Sequence, residues 1–235
     1  MPRVEKNAEV TLVALVYRDM RWLRWCIDGN DSVSNLTPYR WFIVANDATD
    51  EVVAALQASD LDWLDHRNED PQEHYIARVY EAWNRGVIEA PTQQVIMLNS
   101  DMVGADYWID ELMDVKRKFP DSLPASLLVE SGRIPSGMPE YVRNFGLAPS
   151  DFDARAFAAH ARTIRQPGKV EPGRLYMPVL VDRQEFTDVG MYPHGNPAGT
   201  TGDKDLFLRY AEAGHGHLTA LGSVCYHVQE GEMRS

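Results

Sequence analysis

The chain has 235 residues, of which 44% are hydrophobic and 25% are charged, and its formal net charge is −12. This length and composition fit one large α/β domain or two small ones. The negative charge argues against a broad electrostatic contact with nucleic acid or with an anionic membrane. Its two cysteines, Cys26 and Cys225, suggest neither a disulfide framework nor a zinc site.

Hydrophobic patterning argues against a membrane protein or a secreted one. No apolar run approaches the roughly 18 residues that a membrane span requires. Residues 1–9 lack the apolar core of a signal peptide. We therefore expect a cytoplasmic globular protein.

The first half of the chain alternates predicted strands and helices. Runs of apolar residues, many of them β-branched, predict buried strands at 10–17, 39–45 and 95–98. A short third strand is predicted at 61–66 and a further strand at 126–130. Apolar residues at helical spacing predict helices at 20–28, 51–58, 74–89 and 107–119. Gly29 is expected to stop the first helix, and Thr49 or Asp50 to cap the second. This alternation predicts a mostly parallel central sheet flanked by helices.

Residues 131–176 break this pattern with many glycines and prolines. One predicted helix, 152–164, lies inside this stretch, which also holds the most basic part of an acidic chain: Arg155, Arg162, Arg165, Lys169 and Arg174. We interpret it as an insertion over the end of the sheet, either a binding lid or a solvated helix with its linkers. Beyond it the patterns predict a strand at 177–182, a helical turn at 185–190, a loop at 192–201, a helix at 202–213 followed by Gly214, and a strand or hairpin over 217–227.

Four groups of polar side chains follow buried strands or line the same predicted end of the sheet. They are Asn46-Asp47, Asn99-Ser100-Asp101, Asp203-x-Asp205 and His227. Ligands of open α/β sheets bind beyond the carboxyl ends of the strands, where a carboxylate can hold a hard cation and the cation can hold phosphate. Each group taken alone also fits a turn, a helix cap or a structural histidine. Neither a Gly-x-Gly-x-x-Gly motif nor a P-loop follows the first strand.

The order of these groups resembles the family 2 glycosyltransferases, a large group of inverting enzymes with the GT-A fold. Asp47 matches the acidic residue that meets the nucleobase in that family. Asn84-Arg85-Gly86 is similar to the ending of the helix before the metal strand. Asn99-Ser100-Asp101 matches the Asp-x-Asp element, with an amide replacing the first carboxylate.

The second half of the chain continues the resemblance. Val189-Gly190, Gly202-Asp203-Lys204-Asp205-Leu206 and Ala213-Gly214 are similar to the family's Val-Gly, Glu-Asp-x-Asp-Leu and Ala-Gly elements. His227 matches the histidine after the last strand that often completes the metal site. Gly202 departs from the pattern, because the family has Glu there.

The resemblance implies one GT-A catalytic domain over residues 1–235. Residues 10–105 would form the nucleotide-sugar half, and residues 106–235, with the 131–176 insertion, the acceptor half. Asp101 and His227 would hold Mn²⁺ or Mg²⁺, and Asp203 would be the general base of an inverting displacement. Asp205 would bind a sugar hydroxyl or support the site at one remove. Contacts to a UDP- or GDP-sugar donor are expected from Tyr17, Asp47, Asn84, Asn99 and Ser100.

Several alternatives remain open. A retaining transferase could use the same fold and metal ligands. Asn99 and Gly202 favour a nucleotide-sugar-binding domain without catalysis, and a nucleotidyltransferase would have only Arg18 as a cation near the first strand. A saccharide or a small molecule is the favoured acceptor, and modified nucleic acid is less favoured because of the net charge.

The helix that begins near Asp203 is expected to keep this carboxylate ionised near neutral pH, as a general base requires.

Overall fold

The computed structural model describes residues 7–67, 75–135, 137–173, 177–193 and 202–232. The start of the predicted helix at His74, the basic residue Arg174 and most of the predicted loop 192–201 lie outside these ranges. The strands are β1 Val10–Val16, β2 Tyr39–Asn46, β3 Trp63–His66, β4 Gln94–Met97, β5 Met102–Gly104, β6 Ser122–Glu130, β7 Val170–Pro172, β8 Val179–Asp182 and β9 Gly216–His227. The helices are α1 Met20–Asp31, α2 Asp50–Gln57, α3 Tyr75–Glu89, α4 Trp108–Lys118, α5 Ala154–Ile164, α6 Arg183–Asp188 and α7 Gly202–Glu212.

The nine strands of the described ranges form one sheet in the order β3-β2-β1-β4-β8-β6-β9-β5, and β7 pairs with β9. Strands β1 to β4 are mutually parallel, as the alternation in the first half predicted. In the second half β6 and β9 are parallel, whereas β8 is antiparallel to β4 and β6, and β5 and β7 are antiparallel to β9. The predicted α/β architecture, a central sheet flanked by helices, is confirmed.

The core lies on both faces of the central strands. β1 and β4 are almost entirely buried, which explains why their sequences are continuous apolar runs. Helix α3 packs closely on β1 at Gly86. A Cβ at this position would lie only 2.6 Å from Val13 Cγ1, so the contact requires glycine. No helix in the described ranges is both long and apolar enough to cross a membrane.

The prediction for Gly29 was wrong, and strand β5, which explains that error, was not predicted. Gly29 does not stop α1, which continues to Asp31. This glycine instead allows a close approach to β5, since a Cβ there would lie 2.7 Å from Val103 Cγ2. Strand β5 was not predicted, because its three residues carry too short a pattern and are fixed by pairing with β9.

Other boundaries follow the predictions with smaller changes. The last segment is one twelve-residue strand, β9, so the hairpin alternative does not hold. Strand β6 begins at Ser122, four residues earlier than predicted. Thr49 caps α2 as expected, accepting from the N–H of Val52 at 3.4 Å.

The insertion is anchored to the sheet by aromatic packing and by ion pairs. Phe157 and Ala161 of α5 belong to a second apolar cluster that includes Tyr226 of β9. Arg165 binds Glu111 of α4 at 3.2 Å, so one of the basic residues is used within the fold. The insertion is therefore a packed cover, and its predicted role as a binding lid stays a prediction.

Candidate active site

The centre of the candidate site is the pair Asp101 and His227. Asp101 lies in the turn between β4 and β5, and His227 is the last residue of β9. Because β5 pairs antiparallel with β9, Met102 lies opposite His227. This register brings Asp101 Oδ1 to 3.5 Å from His227 Nε2. Two residues that are 126 positions apart in the sequence therefore meet at the carboxyl end of β4, as the resemblance implied.

Glu130 is a third member of the site that the sequence analysis did not select. It ends β6 and pairs in register with His227. Its Oε1 lies 3.3 Å from His227 Nδ1, so the imidazole lies between two carboxylates. Its position at the end of a buried strand, like that of the other polar groups, was the available signal.

The surrounding charges set the protonation of this group. Burial alone would lower the pKa of His227, but the carboxylates of Asp101 and Glu130 outweigh burial and raise this pKa to about 9. Burial acts to raise the pKa of Asp101, but His227 and the N–H of Gly231 outweigh it and hold this pKa below its ordinary value. At neutral pH the group is an imidazolium between two carboxylates.

The segment after β9, residues 228–232, crosses this pair, and we call it the capping segment. The N–H of Val228 donates to the carbonyl of Asp101 at 3.0 Å. The N–H of Gly231 donates to Asp101 Oδ2 at 3.0 Å. One carboxylate oxygen of Asp101 is therefore held by the capping segment, and the other faces His227.

Glu232 extends the capping segment to the start of α1 and was also missed by the sequence analysis. Its Oε1 accepts from the N–H of Tyr17 at 3.0 Å, from that of Arg18, and from that of Asp19 at 2.7 Å. Ser100 Oγ donates to its Oε2 at 3.4 Å. Two predicted donor-binding residues, Tyr17 and Ser100, thus contact this carboxylate.

Asn99 and Asp47 shape the ends of their strands. The carbonyl of Asn99 accepts from the N–H of Met102 at 3.1 Å, which closes the turn before β5. Asp47 has a left-handed backbone, φ 49°, and its carboxylate faces the guanidinium of Arg78 at 3.3 Å. Arg78 also donates to the carbonyl of His66 at 3.1 Å and is buried. The sequence did not indicate this partner of Asp47, because Arg78 lies within the regular pattern of α3.

Asp203 belongs to a different set of contacts. Tyr192 donates its hydroxyl to Asp203 Oδ1 at 3.0 Å, and its ring stacks on Tyr80 with the ring centroids 4.9 Å apart. Asn84 fixes Tyr192 by two bonds to its backbone, accepting from its N–H at 2.9 Å and donating to its carbonyl at 3.0 Å. The side chain of Asn84 is buried in this contact, and its role in donor binding stays a prediction.

Gly202, the departure from the family pattern, has a physical explanation. A Cβ at this position would lie 2.3 Å from Cε2 of Tyr80, so the Tyr80 ring fills the space that a side chain would need. The Tyr80 hydroxyl also accepts from the N–H of Gly202 at 2.8 Å. The ring and hydroxyl of Tyr80 thus fix the first residue of α7, directly before Asp203.

Burial dominates the electrostatics of Asp203. Burial raises its pKa, and the hydrogen bond from Tyr192 offsets only part of that effect. The helix N-terminus therefore does not set the direction of the shift. Asp205 lies 2.7 Å from Arg209 one turn further along α7, so its carboxylate has a partner within the helix.

A divalent cation at this site would need ligands beyond those that the protein supplies. In the described ranges no three His, Cys, Asp or Glu side chains converge closely enough to hold a metal ion. Asp101 and His227 offer one carboxylate and one imidazole, and Mg²⁺-type sites commonly use one or two carboxylates and complete their shell with substrate phosphates and water. Metal-binding imidazoles in proteins are commonly oriented by a carboxylate at the ring nitrogen that does not bind the metal. Glu130 makes this contact with Nδ1 of His227. The residues present fit a cation that shares its shell with a diphosphate.

Two cavities differ in their relation to this chemistry. A cavity of 520 Å³ between α1 and α2 is lined by residues such as Met20 and Leu61 and by none of the site residues. A cavity of 280 Å³ is lined by Trp22, Arg133 and Gly231. Gly231 packs between Asp101 and Trp22, so the smaller cavity adjoins the Asp101–His227 pair. It is therefore the cavity that belongs to the candidate site.

Comparison with known proteins identifies the architecture. No family model and no curated protein sequence matches the chain. A crystal structure of GalNAc-T7 with UDP, GalNAc and Mn²⁺ superposes with a TM-score of 0.65 at 13% identity, covering 95% of this chain and 44% of that one. This chain has the GT-A fold. A crystal structure of S. aureus TarS 1–349 gives a TM-score of 0.62 at 8% identity, covering 93% and 60%.

The chain spans about half the length of these solved structures. At such low identities the likeness establishes the fold, and membership of family 2 stays a prediction.

Proposed function

We propose that this protein is a glycosyltransferase that moves a sugar from a UDP- or GDP-activated donor to an acceptor hydroxyl, with Mn²⁺ or Mg²⁺ and with inversion. The observation that carries the proposal is the meeting of Asp101, Glu130 and His227 at the carboxyl end of the central strands of a GT-A fold. The presence of UDP, GalNAc and Mn²⁺ in the GalNAc-T7 structure supports the same donor chemistry.

Asp101 and His227 Nε2 are the proposed ligands of the cation. When bound, a divalent cation supplies positive charge that offsets the charge developing on the departing diphosphate. Glu130 accepts the Nδ1 proton of His227, which leaves Nε2 directed at Asp101 and fixes the plane of the ring. Nε2 must lose its proton to bind the cation, and the pKa of His227 is raised to about 9, so alkaline solution favours metal binding.

Asp203 is the proposed general base. It would take the proton of the acceptor hydroxyl as that oxygen attacks the anomeric carbon from the face opposite the diphosphate. Burial raises the pKa of Asp203, which strengthens its carboxylate as a base. Tyr192 holds Oδ1 of this carboxylate in place, and Oδ2 is the oxygen proposed to take the proton.

The remaining predicted residues are assigned to the donor and the acceptor. Asp47, held by Arg78, is proposed to face the nucleobase, and Tyr17, Ser100, Asn84 and Asn99 to shape the pocket. Asp205 is proposed to support the start of α7 through its partner in that helix. We propose that the acceptor, a saccharide or another small molecule, enters through the 280 Å³ cavity.

A thermal-shift screen of nucleotide sugars with and without Mn²⁺ tests the proposal. A bound donor raises the free energy of unfolding, by about 2.7 kcal/mol at a ligand concentration of 100 times Kd. The melting temperature rises as a result. We expect one UDP- or GDP-sugar to stabilise the protein only with the metal. Asp101→Ala should lose that stabilisation and Asp203→Asn should lose transfer but keep donor binding.

Asp121→Asn is the matched control, because it removes an exposed carboxylate and should change neither property. Full activity in both site variants would contradict the assignment.

The amide at Asn99, in place of the first carboxylate of the metal element, favours a binding domain without catalysis as the second candidate. Tight UDP binding with Mn²⁺ but no donor turnover would support that candidate, and the anomeric configuration of the product separates inversion from retention.

A further inference from the structure

The capping segment, residues 228–232, is held firmly over the candidate site. The Gln229 side chain is fully buried, and its amide bonds to the N–H and the carbonyl of Ile134, both at 3.3 Å. Arg133 donates to the carbonyl of Gln229 at 3.3 Å. Gln229 and Glu230 have left-handed backbones, φ 68° and 51°. Such conformations persist in residues other than glycine only where surrounding contacts hold them.

This held turn delivers the Glu232 carboxylate to three consecutive N–H groups. The groups belong to Tyr17, Arg18 and Asp19, which connect the carboxyl end of β1 to α1. Successive N–H groups at a helix start bind anions, and a carboxylate or a phosphate satisfies them equally. Glu232 is half-buried there, and it also accepts from Ser100.

We propose that the Glu232 carboxylate closes the donor site of the resting protein and that the anionic diphosphate of the donor displaces it. This inference rests on the proposed function. The carboxylate and a phosphate oxygen require the same N–H donors, and both are negatively charged, so they cannot share the position. Gly231 adds to the closure, because its N–H holds Asp101 Oδ2, an oxygen beside the proposed metal position.

The closure has a measurable consequence for affinity. A ligand that binds only the open state has its apparent affinity reduced in proportion to the open fraction. If the closed state accounts for about 90 to 99% of the resting molecules, release of Glu232 raises donor affinity by about 10- to 100-fold. Glu232→Gln keeps the shape of the side chain but loses its charge, so its effect should lie between those of wild type and Glu232→Ala.

Isothermal titration with UDP and Mn²⁺ tests the competition in wild type, Glu232→Ala, Glu232→Gln and the control Glu212→Ala. Glu212 is exposed on α7, so its substitution changes net charge equally but leaves the capping segment intact. We expect about 10-fold or more tighter UDP binding in Glu232→Ala, a smaller gain in Glu232→Gln, and none in Glu212→Ala. Unchanged or weaker binding in Glu232→Ala overturns the proposal.

Hydrogen exchange without any nucleotide separates the two ways of failing. In Glu232→Ala the amides of residues 17–19 should exchange faster than in wild type, because their acceptor is gone. Unchanged exchange overturns the contact itself. If exchange accelerates and no protein in the series binds UDP although all remain folded, the proposed function fails and the competition fails with it.

Discussion

The protonated state of His227 leads to a quantitative prediction about stability. Its ring lies 3.5 Å from Asp101 and 3.3 Å from Glu130, and these carboxylates raise its pKa from 6.5 to about 9. A pKa that differs between the folded and unfolded chain contributes to the free energy of unfolding. The difference between 6.5 and about 9 corresponds to about 3 kcal/mol.

The sign follows from the direction of the shift. A histidine whose pKa is raised by folding contributes fully below its unfolded pKa, and this contribution is lost as the pH rises through the folded value, about 9. Asp101 behaves oppositely, because its pKa is lowered and its contribution is lost in acid. The pair therefore stabilises the fold most in mildly acidic to neutral solution.

Urea unfolding with a chelator present measures this contribution. Between about pH 6.5 and about pH 10, wild type should lose about 3 kcal/mol more stability than His227→Gln does. The Gln variant is a suitable reference, because it shares every other titrating group and cannot become charged at position 227. The Gln variant should be less stable than wild type at neutral pH, since the buried carboxylates of Asp101 and Glu130 lose the imidazolium between them. Parallel stability profiles for the two proteins would refute the assigned ion pair.

Three further substitutions test individual contacts. Glu130→Gln should weaken Mn²⁺ binding by about 10- to 100-fold in a titration of the metal with UDP present, and unchanged affinity would show that Glu130 does not orient His227. Gly202→Ala should cost about 1 to 3 kcal/mol in urea unfolding, because its Cβ would lie 2.3 Å from the Tyr80 ring, and an equally stable variant would contradict that packing. Tyr192→Phe removes a hydrogen bond that lowers the pKa of Asp203, so the acidic limb of the kcat/KM profile should move to higher pH, and an unmoved limb would count against Asp203 as the base.

The sequence predicted those parts of the fold that depend on local pattern. Strands β1 and β4 are almost continuous apolar runs, and such runs occur where both faces of a strand are buried. The carboxyl ends of parallel strands share one edge of the sheet, so polar residues that follow them are brought together. That reasoning correctly placed Asp101 near His227.

The parts that sequence could not provide depend on contacts between distant segments. Strand β5 has three residues and exists because β9 pairs with it. Glu130 and Glu232 face the site through the register of β6 and through the turn after β9, and neither leaves a motif in the sequence. The burial of Asp203, which raises its pKa, cannot be read from charge spacing.

Gly202 illustrates why a departure from a family pattern needs a structure before it is interpreted. On sequence alone, Gly in place of the family's Glu favoured a domain that has lost catalysis. In the fold, the Tyr80 ring occupies the space of a side chain at position 202, and its hydroxyl binds the Gly202 N–H at 2.8 Å. Tyr192, stacked on Tyr80, binds Asp203 directly. The substitution therefore belongs to a packed arrangement that fixes the next carboxylate, and the glycine alone is no argument for lost activity.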